Sequence, residues 1–127
     1  MTLADRTVLV VEDHEFQRRT IRQILSNLGV GSVLEAADGQ AALERLDELR
    51  DGDVLVCDLD MPGMDGVELL RLVALRPGGP SIVIASGLSA EVLQAAASRA
   101  RGDGLTVLGA IRKPLTARRL LGVLQPV

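Results

Sequence analysis

Five polar residues stand where short apolar runs end. Asp58 follows Val54–Cys57 and opens the segment DLDMPGMDG (58–66). Glu12 and Asp13 close Val8–Val11, Ser86 closes Ile82–Ala85, and Lys113 ends a fourth run just before Pro114. Brought together, three carboxylates repel one another and invite a cation. Oxygen ligands suit a hard ion such as Mg²⁺, which uses one or two carboxylates, keeps several waters and binds phosphate oxygens. A backbone carbonyl at Asp60 would add a further ligand. Lys113 supplies a fixed positive charge, and Ser86 a hydroxyl able to donate to a phosphoryl oxygen. A carboxylate nucleophile, a divalent ion, an ammonium and a hydroxyl suffice to make an aspartyl phosphate, because phosphoryl transfer asks mainly for positioning and charge neutralisation.

These residues can meet only if the chain places the four run ends side by side. Strands are expected at 7–11, 33–37, 53–57, 81–85 and 107–111, because their apolarity is continuous, as in strands covered on both faces. Helix-period segments at 14–28, 39–49, 66–75, 89–101 and 116–125 lie between and after them. In the first of these Ile21, Ile24, Leu25 and Leu28 share one face, while Arg18, Arg19 and Arg22 lie largely away from it. Gly29 is expected to end that helix. Asp38-Gly39, Asp51-Gly52 and Pro77–Pro80 punctuate the loops. Strict β–α alternation predicts an α/β fold: a doubly wound, five-stranded parallel sheet with right-handed crossovers and helices on both faces. The flavodoxin-like order 2-1-3-4-5 would make the C-terminal ends of strands 1, 3, 4 and 5 converge, where open α/β sheets bind their ligands.

Composition narrows the function. A chain of 127 residues fits one domain, 1–127, able to bury a core without disulfide or metal staples. A formal charge of −3 and the lack of a basic tract argue against direct nucleic-acid binding. Phe16 is the only aromatic residue, so stacking on bases has no platform. Cys57, the single cysteine, reads as a small buried core residue. Without a long apolar span or a signal pattern, the expected location is cytoplasmic and no membrane partner is expected.

The pieces VLVVEDH (8–14), VLVCDLDMPGMDG (54–66), IVIAS (82–86) and RKP (112–114), in this order and spacing, resemble the receiver domain of bacterial two-component response regulators over essentially the whole chain. The resemblance implies that Asp58 is the phosphoacceptor and that Glu12, Asp13, Asp58 and the Asp60 carbonyl hold Mg²⁺. It makes Ser86 the switch hydroxyl, Lys113 the lysine that contacts the phosphoryl group, and Lys113–Pro114 a cis bond. It implies a sensor histidine kinase as donor, and a surface of the fourth helix, fifth strand and fifth helix (roughly 89–125) that acts on an output domain, a partner protein or a second copy. No enzymatic activity is expected beyond self-catalysed phosphorylation and dephosphorylation. The stretches 104–115 and 12–19 look most like receivers joined to cyclic-di-GMP phosphodiesterase domains. One position departs from the pattern: receivers often carry Tyr or Phe three residues before the lysine, and here stands Ala110.

Two other functions use the same parts. Asp58-Leu59-Asp60 looks like the nucleophile pair of haloacid-dehalogenase phosphatases, but in those enzymes it follows the first strand, whereas here it follows the third. A receiver that is never phosphorylated and serves as a binding module is the other alternative. Asp13 also suits the N-terminus of the first helix, where acids favour the dipole. His14 is expected at the pocket rim without a metal role. Phe16 lies well off the Ile21/Leu28 stripe and is expected to contact a neighbouring helix or loop; the other reading is an exposed spot for a partner.

Overall fold

The computed structural model describes residues 2–61 and 63–125. Pro62 of the loop after Asp58 and the terminal Pro126-Val127 lie outside them. Five strands, β1 (Thr7–Val11), β2 (Ser32–Ala36), β3 (Val54–Asp58), β4 (Ser81–Ser86) and β5 (Val107–Arg112), alternate with helices α1 (Glu15–Asn27), α2 (Gly39–Arg45), α3 (Gly66–Ala74), α4 (Ala90–Gly102) and α5 (Ala117–Leu124). The strands form one parallel sheet in the order β2-β1-β3-β4-β5, the predicted flavodoxin-like order.

Side-chain alternation divides the core into two layers. Val8, Val10, Val54, Val56, Val83 and Ile111 face α1 and α5, meeting Ile21, Leu25, Leu120 and Leu124. Leu9, Val11, Leu55, Cys57, Ile82 and Ile84 face the other way, onto Ala42, Leu69, Leu70, Val73, Leu93 and Ala97 of α2, α3 and α4. Strand β3 is buried throughout. The expectation that every strand is covered on both faces fails in part at β5, whose Leu108, Gly109 and Ala110 are half-buried, and more fully at β2, whose first four residues are exposed or half-buried. It is an edge strand with one neighbour, and its Glu35 pairs outward with arginines instead.

Several boundaries differ from the expected ones in informative ways. Strands β3, β4 and β5 each run one residue further than expected, because the parallel ladder continues through Asp58↔Ala85 and Ser86↔Arg112. Asp53 stays outside β3, since its carboxylate accepts from the N–H groups of Thr7 and Arg50, each at 2.8 Å. The second helical segment breaks at Arg45 and finishes as a 3₁₀ turn, Leu46–Glu48, which tucks Leu46 and Leu49 into the core. Gly29, at φ +97°, follows the last turn of α1 in the left-handed conformation that glycine adopts without a Cβ clash.

Candidate functional site

The sheet order brings the expected residues to one edge. Only four polar or charged side chains among the described residues are buried, and three of them are Glu12, Asp58 and Ser86. Such burial is costly unless each group is paired. The pairing comes from Lys113, whose ammonium donates to Glu12 Oε1, to Asp58 Oδ2 at 3.1 Å and to Gln17 Oε1 at 2.9 Å. Lys113 thus ties the ends of β1, β3 and β5 and the first turns of α1 together. Burial works against its charge, but the hydrogen bonds and charges of Glu12 and Asp58 outweigh this and raise its pKa above the ordinary 10.5.

Each carboxylate is aimed by backbone. The Asp60 N–H donates to Asp58 Oδ1 at 3.1 Å, and the His14 N–H to Glu12 Oε2 at 3.2 Å. The Glu12 carbonyl accepts from Arg18 at 3.0 Å, and Arg18 is itself held by Glu35 of β2. Glycine is required at 66, where a Cβ would stand 2.4 Å from the Asp58 carbonyl oxygen. The start of α3 is therefore pressed against the backbone that carries Asp58. On the β4 side, the Ser86 hydroxyl accepts from the Leu88 N–H at 3.0 Å, and its carbonyl from the Lys113 N–H at 2.8 Å. Among the described residues Ser86 makes no hydrogen bond to Asp58. Lys113–Pro114 is cis, as expected.

One ammonium stands against three carboxylates, so the site keeps an excess of negative charge. Asp13 Oδ1 is buried and has no hydrogen-bond partner among the described residues, although His14 Nδ1 lies 3.5 Å away. An orphaned carboxylate oxygen beside Glu12 fits a divalent cation, and oxygen donors select a hard one. Glu12, Asp13 and His14 can all approach a common point. The imidazole ring is mostly exposed and is a poor partner for a hard ion.

Sequence reasoning missed Gln17 and Arg18. Gln17 carries no signal in its own segment beyond standing in the first turn of the helix that follows the acidic pair. Nothing in the sequence links either residue to β5 or β2. Phe16 departs from the expectation of a covering neighbour: it is 81% exposed. It sits in the first turn of α1, ahead of Ile21 and Leu25, the buried residues of that helix. With Gln17, Thr20, Ile21, Pro114 and Leu115 it lines a cavity of about 430 Å³ that opens on Lys113.

A family model described as the response regulator receiver domain matches residues 8–125. The chain belongs to the response regulator receiver family. Cyclic di-GMP phosphodiesterase RocR of Pseudomonas aeruginosa is 38% identical over 94% of this chain, which spans 31% of RocR's length. Chemotaxis protein CheY of the same species is 35% identical over 89% of this chain and 88% of its own. The structure of Vibrio cholerae CheY4 superposes with a TM-score of 0.78 at 27% identity, covering 96% of this chain and 98% of that one. The receiver is thus a phosphorylation-operated signalling module by family. The phosphatase alternative is set aside, and the β3 position of Asp58 agrees with that. RocR, one of the similar proteins, bears the name of a cyclic di-GMP phosphodiesterase.

Proposed function

We propose that this receiver accepts a phosphoryl group on Asp58 from a sensor histidine kinase and passes the change to an output domain or partner. The observation that carries the reading is the buried pair Glu12 and Asp58 bridged by the half-buried Lys113. A carboxylate that is buried, paired and aimed by the Asp60 N–H is pre-oriented for in-line attack on phosphorus. Asp58 Oδ forms the new P–O bond, the donor's bond to phosphorus breaks, and the leaving group departs towards solvent. Lys113 then trades Asp58 Oδ2 for a phosphoryl oxygen. Glu12, Asp13 and Asp58, with the Asp60 carbonyl, would hold Mg²⁺, which neutralises phosphoryl charge when bound. The exposed Phe16 and the cavity beside Lys113 offer the donor an apolar approach to the site.

Ser86 and Lys113 carry the signal onward. They are already joined by the Lys113 N–H to Ser86 carbonyl bond, so the loops after β4 and β5 move as a pair. Ala110 packs partly buried against the layer that contains Leu93 and Ala97 of α4. With no aromatic ring to rotate there, the change reaches α4, β5 and α5 through these loops. Val92 and Leu121 are exposed apolar residues on that surface, suited to an output domain, a partner or a second copy. Residues 1–127 act as one receiver unit in the cytoplasm, and a cyclic-di-GMP phosphodiesterase is the output that the RocR likeness favours. The switch is a shift between two populations, so the phosphoryl group must interact better with one of them.

Incubation with phosphoramidate and Mg²⁺, read on a phosphate-retarding gel, tests the reading. A retarded band that needs Mg²⁺ and disappears in Asp58→Asn is expected. An unretarded parent would favour the binding module.

A further inference from the structure

We propose that Gln17 is a positioning residue for Lys113, holding the ammonium in place while its other two partners change; this rests on the reading of Asp58 as phosphoacceptor. A lysine ammonium has three N–H donors. Here all three are used, by Glu12 Oε1, Asp58 Oδ2 and Gln17 Oε1. Two of these acceptors change role during phosphorylation. Asp58 becomes an acyl phosphate, and Glu12 belongs to the acidic set suited to a cation. Gln17 is neutral and takes no part in either event. It alone can keep the ammonium at the pocket mouth while the lysine turns from a carboxylate oxygen to a phosphoryl oxygen.

Location supports a positioning role over a structural one. Gln17 is exposed in the first turn of α1, lies outside both core layers, and reaches Lys113 across 96 positions of sequence. Its removal therefore costs the fold little, because exposed residues away from caps and cores are usually near neutral. It also lines the cavity between Phe16 and Leu115, so it stands between an approaching donor and the lysine. A long lysine stem without this anchor would sample more rotamers, and ordering it again would slow the step.

Two variants and two readouts decide the matter. Lys113 is the only lysine, so lysine-specific ¹⁵N labelling gives one side-chain ammonium signal. In the metal-free parent that signal should be protected from hydrogen exchange; in Q17M it should broaden or vanish, and in Q17E, which keeps an acceptor, it should return. With phosphoramidate and Mg²⁺, Q17M should lower the maximal phosphorylation rate roughly three- to tenfold, the scale of one lost hydrogen bond, with the half-saturating donor concentration unchanged. Q17E should recover most of that rate but need more donor, because its added charge repels the anionic phosphoramidate. An unchanged ammonium signal in Q17M, or a maximal rate within twofold of the parent, would overturn the proposal. A parent that takes up no phosphate would instead strike the phosphoacceptor reading, and the ammonium signal would still decide whether Gln17 holds Lys113.

Discussion

Lys113 gives the site a pH signature that few proteins could show so cleanly. The chain has no tyrosine and no other lysine, so few groups titrate in mild alkali. The folded pKa of Lys113 is raised, so its stabilising effect is complete below the unfolded value near 10.5 and is lost as pH rises through the folded value. Cys57 acts from a lower pH: burial, with the charges of Asp58 and Asp65, pushes its thiol far above the ordinary 9.0. The unfolded thiol ionises first, so that contribution also drains away as pH rises. Urea midpoints should thus fall from about pH 9 and fall more steeply above about 10.5. Lys113→Met should abolish the second, steeper part while Cys57→Ala removes the first; a Lys113→Met profile that keeps the steep part would contradict the pairing. Asp13 makes the opposite case. Its carboxylate adds like charge to Glu12 and Asp58 and leaves an oxygen without a hydrogen-bond partner among the described residues. Asp13→Asn should raise stability in chelator by about 1 kcal/mol, as relief of charge repulsion and the trade between function and stability imply. It should also lose much of the stabilisation that Mg²⁺ gives the parent by linkage. Denaturant melts with and without Mg²⁺ check both halves.

Strand ends position these groups, and the packing of β5 against α5 shows how tightly. A Cβ on Gly109 would meet Val123 Cγ1 at 2.5 Å, and a β-branched side chain has little freedom to yield. Gly109→Ala should destabilise the receiver by about 1–3 kcal/mol through overpacking. The added Val123→Ala should restore a large part of that loss; two independent penalties instead would show that the contact does not limit the fit. This contact was invisible in the sequence, as was the register shift in β5 between the partners of Ile82 and Val83. The alternation of apolar runs did disclose all five strands and a doubly wound sheet, for which the flavodoxin-like order was the expected arrangement. The groups at their ends followed, since the C-terminal edge is a property of the topology. What pattern alone misjudged was solvent. The runs do not mark which strands are edges, so β2 was expected to be covered, and the position of Phe16 off the Ile21/Leu28 stripe does not say whether a neighbouring helix or loop reaches it. Contacts between distant positions, such as Gln17 with Lys113 and Arg18 with Glu35, need the finished fold before they can be named.

At the scale of the molecule, the two core layers and the acidic edge make a device with separate jobs. The layers of Leu, Ile and Val hold the sheet, while its C-terminal edge, strand ends and the loops after them, carries Glu12, Asp13, Asp58, Ser86 and Lys113. The central claim is that Asp58, and no other residue, takes the phosphoryl group. Borohydride reduces an acyl phosphate at aspartate to homoserine, so trapping the phosphodonor-treated receiver and sequencing its peptides by mass spectrometry places the modification. The expected result is homoserine at position 58, dependent on Mg²⁺ and on native fold. Phosphate found instead on Ser86 or His14, or homoserine at Asp13 or Asp60, would contradict the account.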